Sequence, residues 1–174
     1  MNRKKTKVWS GLLLLFGLMA FASQPISNHP ISTNKISTCS IENQCFQGGE
    51  EIVYKLYYNW NFVWLSAGEV TFSVKDLGDQ YHVSAVGKTY NSYEWFFKVY
   101  DVYESFLDKE TLLPQTSIRD VHEGKYTLYD KVQFDQEKGK ATSDRGKTKA
   151  EAEQKEYEID RCMHDILSII YFSR

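Results

Sequence analysis

The chain has 174 residues with 21 basic and 23 acidic side chains, a net charge of −2. Such a balance lacks the clustered Lys and Arg that phosphate backbones require, which argues against a nucleic-acid partner. The one basic cluster, Lys138 to Lys149, alternates with acids and small residues and reads as a solvated hairpin region.

The N-terminus runs M-N-R-K-K-T-K, then an apolar stretch from Gly11 to Ala22, then Ser23, Gln24 and Pro25. This basic, apolar, small-residue order is that of a secretory signal, with cleavage expected after Ala22. The apolar run falls short of the ~20 residues a spanning helix needs, so no stable transmembrane span is expected after cleavage. An uncleaved N-terminal anchor is the alternative. The first cysteine is Cys39, too far along for a lipid-modified N-terminus. Loss of Arg3, Lys4, Lys5 and Lys7 leaves 17 basic against 23 acidic residues, a net charge of −6. The expected product is exported, with the periplasm as its compartment.

Residues 23–47 are Ser, Asn, Thr, Pro and isolated isoleucines without a period, the composition of a flexible N-terminal arm. A folded β domain is expected over 48–174. From Glu50 the period is two: Ile52, Tyr54, Leu56, Tyr58 and Trp60 share one parity, a strand signature. Asn61 to Ala67 is expected to be the connection to a second strand carrying Val70, Phe72 and Val74. Leu77-Gly78-Asp79 is a turn before a third strand with Tyr81, Val83 and Ala85.

Alternation fails in Y-E-W-F-F-K (Tyr93 to Lys98), resumes over Val99 to Leu107, and is broken by Pro114. Thr116 to His122 and Lys125 to Gln136 read as two strands joined across Glu123-Gly124. After the Glu137-Lys138-Gly139 turn, the polar stretch to Glu158 reads as edge strands. Asp165 is an N-cap for a helix on which Ile166, Ile169 and Ile170 would share a face. The expected fold class is mainly β: a curved antiparallel sheet or half-barrel of consecutive hairpins with a late C-terminal helix.

Three cysteines leave an odd one. Cys39 and Cys45 are close enough to close a small disulfide loop in an oxidising compartment, and a Cys45 to Cys162 bridge tying the tail to the domain is the alternative. No C-x-x-C is present, so neither a zinc ribbon nor a thioredoxin-type site is suggested. His29, His82, His122 and His164 are scattered, and a site from His164, Cys162 and Asp160 would lack a fourth ligand. No metal and no cofactor is expected.

The rings of Tyr54 to Val70 pose a choice. They pack a core, or they line a concave face that binds a ligand: Tyr58, Trp60, Phe62 and Trp64, completed by Trp95, Phe96 and Phe97. Asp101, Glu104, Asp120 and Glu123 are the acids that a hydrolase acting on envelope polysaccharide would need in pairs. Ser66 and Ser168 lack a G-x-S-x-G setting, and no phosphate-binding glycine pattern occurs. Asp101, Arg119, Asp165 and Arg174 are candidates for a structural clamp pinning helix to strand.

The segments G-E-E-I-V-Y-K-L-Y-Y-N-W (Gly49 to Trp60), S-A-G-E-V-T-F-S-V (Ser66 to Val74), K-V-Y-D-V-Y-E-S-F-L-D (Lys98 to Asp108) and D-I-L-S-I-I-Y-F-S-R (Asp165 to Arg174) resemble the bacterial exported family called domain of unknown function 3108. The resemblance spans Gly48 to Arg174. It implies an antiparallel β protein of the cell envelope and brings no catalytic residues. Members of that family usually continue past the last motif with further strands, so the β domain is expected to be incomplete at its C-terminus. The functional expectation is a non-catalytic envelope protein that binds an apolar, lipid-like or glycan ligand, or an envelope protein partner. A polysaccharide hydrolase and a structural adaptor without a small ligand are the alternatives.

Overall fold

The structure, a computed structural model, describes residues 39–174; the expected secretory segment and residues 23–38 of the expected arm lie outside the described residues. Eight strands follow one another, β1 (Glu51–Trp60), β2 (Val63–Asp76), β3 (Gln80–Thr89), β4 (Tyr100–Asp108), β5 (Pro114–Glu123), β6 (Tyr126–Asp135), β7 (Lys140–Gly146) and β8 (Glu153–Glu158), with one late helix, α1 (Ile166–Phe172). Each strand pairs antiparallel with its sequence neighbour, in the order β1-β2-β3-β4-β5-β6-β7-β8, so the sheet is open, with β1 and β8 at its edges. Consecutive hairpins follow from the period-two runs separated by turn residues, because antiparallel neighbours need only short connections. Among the described residues no helix is long and apolar enough to cross a membrane.

The core lies on one face of the sheet, under α1. Val74, Val83, Ala85 and Leu107 come from β2, β3 and β4, and Leu167 and Tyr171 come down from the helix. Phe46 completes it, with its ring edge-on to Tyr171 at 4.9 Å and to Tyr81 at 5.2 Å. Of the segment expected as a loose arm, the described part packs against the sheet, and Phe46 is only 8% exposed.

Two local expectations are corrected. The β1–β2 connection is not Asn61 to Ala67 but the two residues Asn61 and Phe62, with φ of 45° and 73°. Left-handed backbone at both positions matches the right-handed strand twist. Ala67 instead sits at a bulge, where the register passes from Leu56↔Gly68 to Tyr57↔Ser66. On α1 the buried residues are Leu167, Ser168 and Tyr171, while Ile166, Ile169 and Ile170 are exposed. The packing of Leu167 and Tyr171 into the core sets this rotation, and a capping box keeps the buried Ser168 hydroxyl paired. Ser168 N donates to Asp165 Oδ1 at 2.7 Å and Asp165 N donates to Ser168 Oγ at 2.8 Å.

The expected Cys39–Cys45 bridge is also corrected. Cys39 is bonded to Cys162, across a separation of 123 residues and a Cα–Cα distance of 5.8 Å, and Cys45 is free and exposed. The path of the sheet carries Cys162 back beside the start of the domain, which local spacing does not reveal. This bond also removes Cys162 from any metal-ligand set, since the thiolate is the ligand.

Candidate ligand-binding cleft

Tyr90 to Val99, between β3 and β4, folds as a series of tight turns beside the β1–β2 hairpin. Tyr93 N donates to Tyr90 O at 2.8 Å, and Phe96 N and Phe97 N both donate to Tyr93 O, at 3.0 and 3.1 Å. Trp95 Nε1 is held by Ser92 O at 2.9 Å. Four bonds anchor the segment's backbone to its surroundings: Tyr90 N to Ala67 O at 3.0 Å, Val99 N to Thr89 Oγ1 at 3.1 Å, Thr89 N to Val99 O at 3.2 Å and Gly124 N to Lys98 O at 2.8 Å. The failure of alternation in Y-E-W-F-F-K is therefore a compact turn that presents rings.

Those rings and the β1–β2 hairpin enclose an apolar cleft of about 680 Å³, lined by Tyr58, Leu65, Ala67, Thr89, Tyr93, Trp95, Phe96 and Phe97. Tyr58 and Leu65 face each other across the hairpin because the two-residue turn sets that register. Gly68 permits the close approach of β3 behind the cleft: a Cβ there would collide with the Lys88 carbonyl oxygen. Trp95 and Phe96 are 82% and 79% exposed, an unusual state for large rings held by ordered backbone.

Four of the seven expected ligand-binding residues, Tyr58, Trp95, Phe96 and Phe97, line this cleft. Phe62 and Trp64 do not; Phe62 occupies the turn at 95% exposure, and Trp64 has the opposite parity to Leu65. Trp60 closes β1 opposite Val63. Leu65, Ala67, Thr89 and Tyr93 are lining residues that were not singled out as site residues from the sequence. The parity of Leu65 with Tyr58 was the available signal, hidden by the misplaced connection.

The four clamp candidates do not pair with one another. Arg174 Nη1 and Nη2 reach Glu50 Oε1 and Oε2 at 2.5 and 3.2 Å, tying the residues after α1 to the residue before β1. Its guanidinium also lies 5.5 Å from the Tyr171 ring centre. Arg119 instead bonds Asp130 at 2.5 Å across β5 and β6, and Ser143 Oγ donates to the other Asp130 oxygen at 2.9 Å. Asp130 is almost fully buried, so these bonds offset the desolvation of its carboxylate. Asp165 caps α1, and Asp101 accepts from His122 N at 2.9 Å.

A second, more polar cleft of about 410 Å³ lies between α1 and the sheet, with Arg119, Asp130, Tyr103 and His164 in its lining. Burial pushes the His164 imidazole below its ordinary proton affinity, against a smaller opposing pull from Asp165. The four acids considered for hydrolysis split by strand parity. Glu104 and Asp120 share one face, with Glu104 bonded to His82 at 2.9 Å. Partial desolvation and the charge of neighbouring Asp101 raise the proton affinity of the Glu123 carboxylate above its ordinary value. None of the four lines the aromatic cleft. Among the described residues no group of three or more His, Cys, Asp or Glu could hold a metal ion.

Neither the curated proteins nor the solved structures contain a significant match to this chain. The family model described as protein of unknown function (DUF3108) matches residues 53–174, from β1 through α1 to the last residue. That coverage takes in every strand and the helix, and on it the chain belongs to the DUF3108 family.

Proposed function

We propose that the protein is an exported, non-catalytic envelope protein that holds the acyl portion of a lipid-like molecule in the aromatic cleft. The observation that carries this reading is the lining: rings and aliphatic side chains, whose side-chain polar groups are one threonine, the tyrosine hydroxyls and the Trp95 indole N–H, the last already bonded to Ser92 O. Its volume falls in the range of small-molecule sites, about 300–1,000 Å³. A glycan brings many hydroxyls that need partners when desolvated, and this lining supplies few. Export rests on the basic, apolar, small-residue order of residues 1–22. The acids that a hydrolase would need stand outside the cleft, which leaves carriage as the better supported reading.

The test is isothermal titration of the protein with dodecanoate and, separately, with maltohexaose, in the wild type and in Phe96→Asp. Phe96 is exposed, so the substitution places a charge in the cleft without opening the core. Dodecanoate should bind the wild type and bind the variant ~10-fold more weakly, a change of ~1.4 kcal/mol, since the variant loses the ring's apolar contact with the acyl chain and sets a negative charge beside it. Saturable binding of maltohexaose with no dodecanoate heat would refute the reading.

A further inference from the structure

The two edges of the sheet are unlike. In β8 four of six residues are charged, Glu153, Lys155, Glu156 and Glu158, and every side chain is exposed. Edge charges of that kind block strand addition. β1 is ten residues long, with no proline and only two charges, Glu51 and Lys55. Nothing among the described residues pairs with its outer side.

The direction of its free backbone groups follows from the ladder. Val74 N donates to Glu50 O at 2.9 Å, and Ile52 and Tyr54 stand opposite Phe72 and Val70. Antiparallel bonding alternates along a strand, so residues 52 and 54 turn their N–H and C=O groups toward β2, and residues 51, 53 and 55 turn theirs outward. A strand added along the first half of this edge bonds to Glu51, Val53 and Lys55.

We propose that β1 pairs with β1 of a second copy of this chain, antiparallel, with Val53 facing Val53 across the two-fold axis. A two-fold contact uses the same patch on both copies. Among two-fold registers that bring outward groups into bonded pairs, only this one sets Glu51 directly opposite Lys55, and symmetry makes that pair twice. Neighbouring registers set Lys55 against Lys55, Glu51 against Glu51, or either charge against an uncharged residue. Opposite charges directly across a ladder attract, and like charges repel. The spacing of the two charges in β1 therefore fits a second β1 better than it fits an uncharged strand. The bonded segment ends before Tyr58, so the aromatic cleft stays open and the dimer does not rest on the ligand reading.

The experiment is sedimentation equilibrium of the full chain, expressed from Met1, over a wide concentration range at low salt. The wild type should dimerise. Val53→Pro removes an outward N–H that the β1–β2 ladder does not use, and should give a monomer with an unchanged far-ultraviolet circular dichroism spectrum. Glu51→Lys and Lys55→Glu should each weaken the dimer about tenfold, because each turns two attractive pairs into repulsive ones, and the double variant should restore it. A wild-type monomer at every concentration overturns the proposal, including one whose edge is covered by the N-terminal residues or by a different protein. A dimer indifferent to Val53→Pro, or a double variant that restores nothing, overturns it as well.

Discussion

Breaking the Cys39–Cys162 bond should destabilise this domain severely. The bond closes a loop of 123 residues in the unfolded chain. The loop-entropy relation gives about 16 cal/mol/K for that length, or about 5 kcal/mol near room temperature. A bridge between Cys39 and Cys45 would give only about 2 kcal/mol by the same relation, so the two pairings are distinguishable. For a domain of this size, 1 kcal/mol moves the melting midpoint by roughly 3 °C, so loss of the long bridge should lower it by about 15 °C. The assay is a thermal melt followed by circular dichroism, with and without reductant, for the wild type, Cys162→Ser and Cys45→Ser. Reductant and Cys162→Ser should give the same large drop. Cys45→Ser should stay within about 0.5 kcal/mol of the wild type, because that thiol is free and exposed. A wild-type midpoint unmoved by reductant, or a large drop in Cys45→Ser with none in Cys162→Ser, would refute the pairing.

Arg174→Ala removes a two-pronged ion pair to Glu50 that is partly open to solvent, so it should destabilise by only about 1 kcal/mol, read as a lower urea midpoint with an unchanged slope. Burial holds His164 below the ordinary histidine value of 6.5, so the unfolded chain takes up a proton that the folded chain refuses. Stability should accordingly be intact above pH 6.5 and decline as pH falls from 6.5 toward the folded value, and His164→Gln should flatten that decline in urea titrations at several pH values. Gly68→Ala drives a methyl into the Lys88 carbonyl and should cost about 1–3 kcal/mol while also weakening dodecanoate binding, measured by urea denaturation and calorimetry on the same sample.

Half-buried strands announce themselves by alternation, and so the hairpin order from Ile52 to Phe134 was readable in the chain. Turns with Gly78, Gly124 and Gly139 were readable for the same local reason, since all three have positive φ. Asn61-Phe62 was not, because a phenylalanine in left-handed backbone carries none of the signal that Asn-Gly would. That one miss displaced Val63 to Ala67 from strand to loop and hid Leu65 as a cleft residue. The buried side of α1 is not legible in a hydrophobic pattern, where three isoleucines outweigh a serine; the fit of Leu167 and Tyr171 against the sheet and Phe46 sets the rotation. The disulfide partner depends on where seven hairpins carry Cys162, which no local rule contains. The Arg174–Glu50 ion pair is not legible in the sequence, since 124 residues separate the two.

The aromatic cleft is the centre of this account, and native mass spectrometry of the protein purified without denaturation from its own cells tests it most directly. The account predicts a reproducible added mass that fragments to acyl chains on the wild type and is lost from Phe96→Asp. A wild-type protein that carries no added mass, or an adduct retained unchanged by Phe96→Asp, would contradict it.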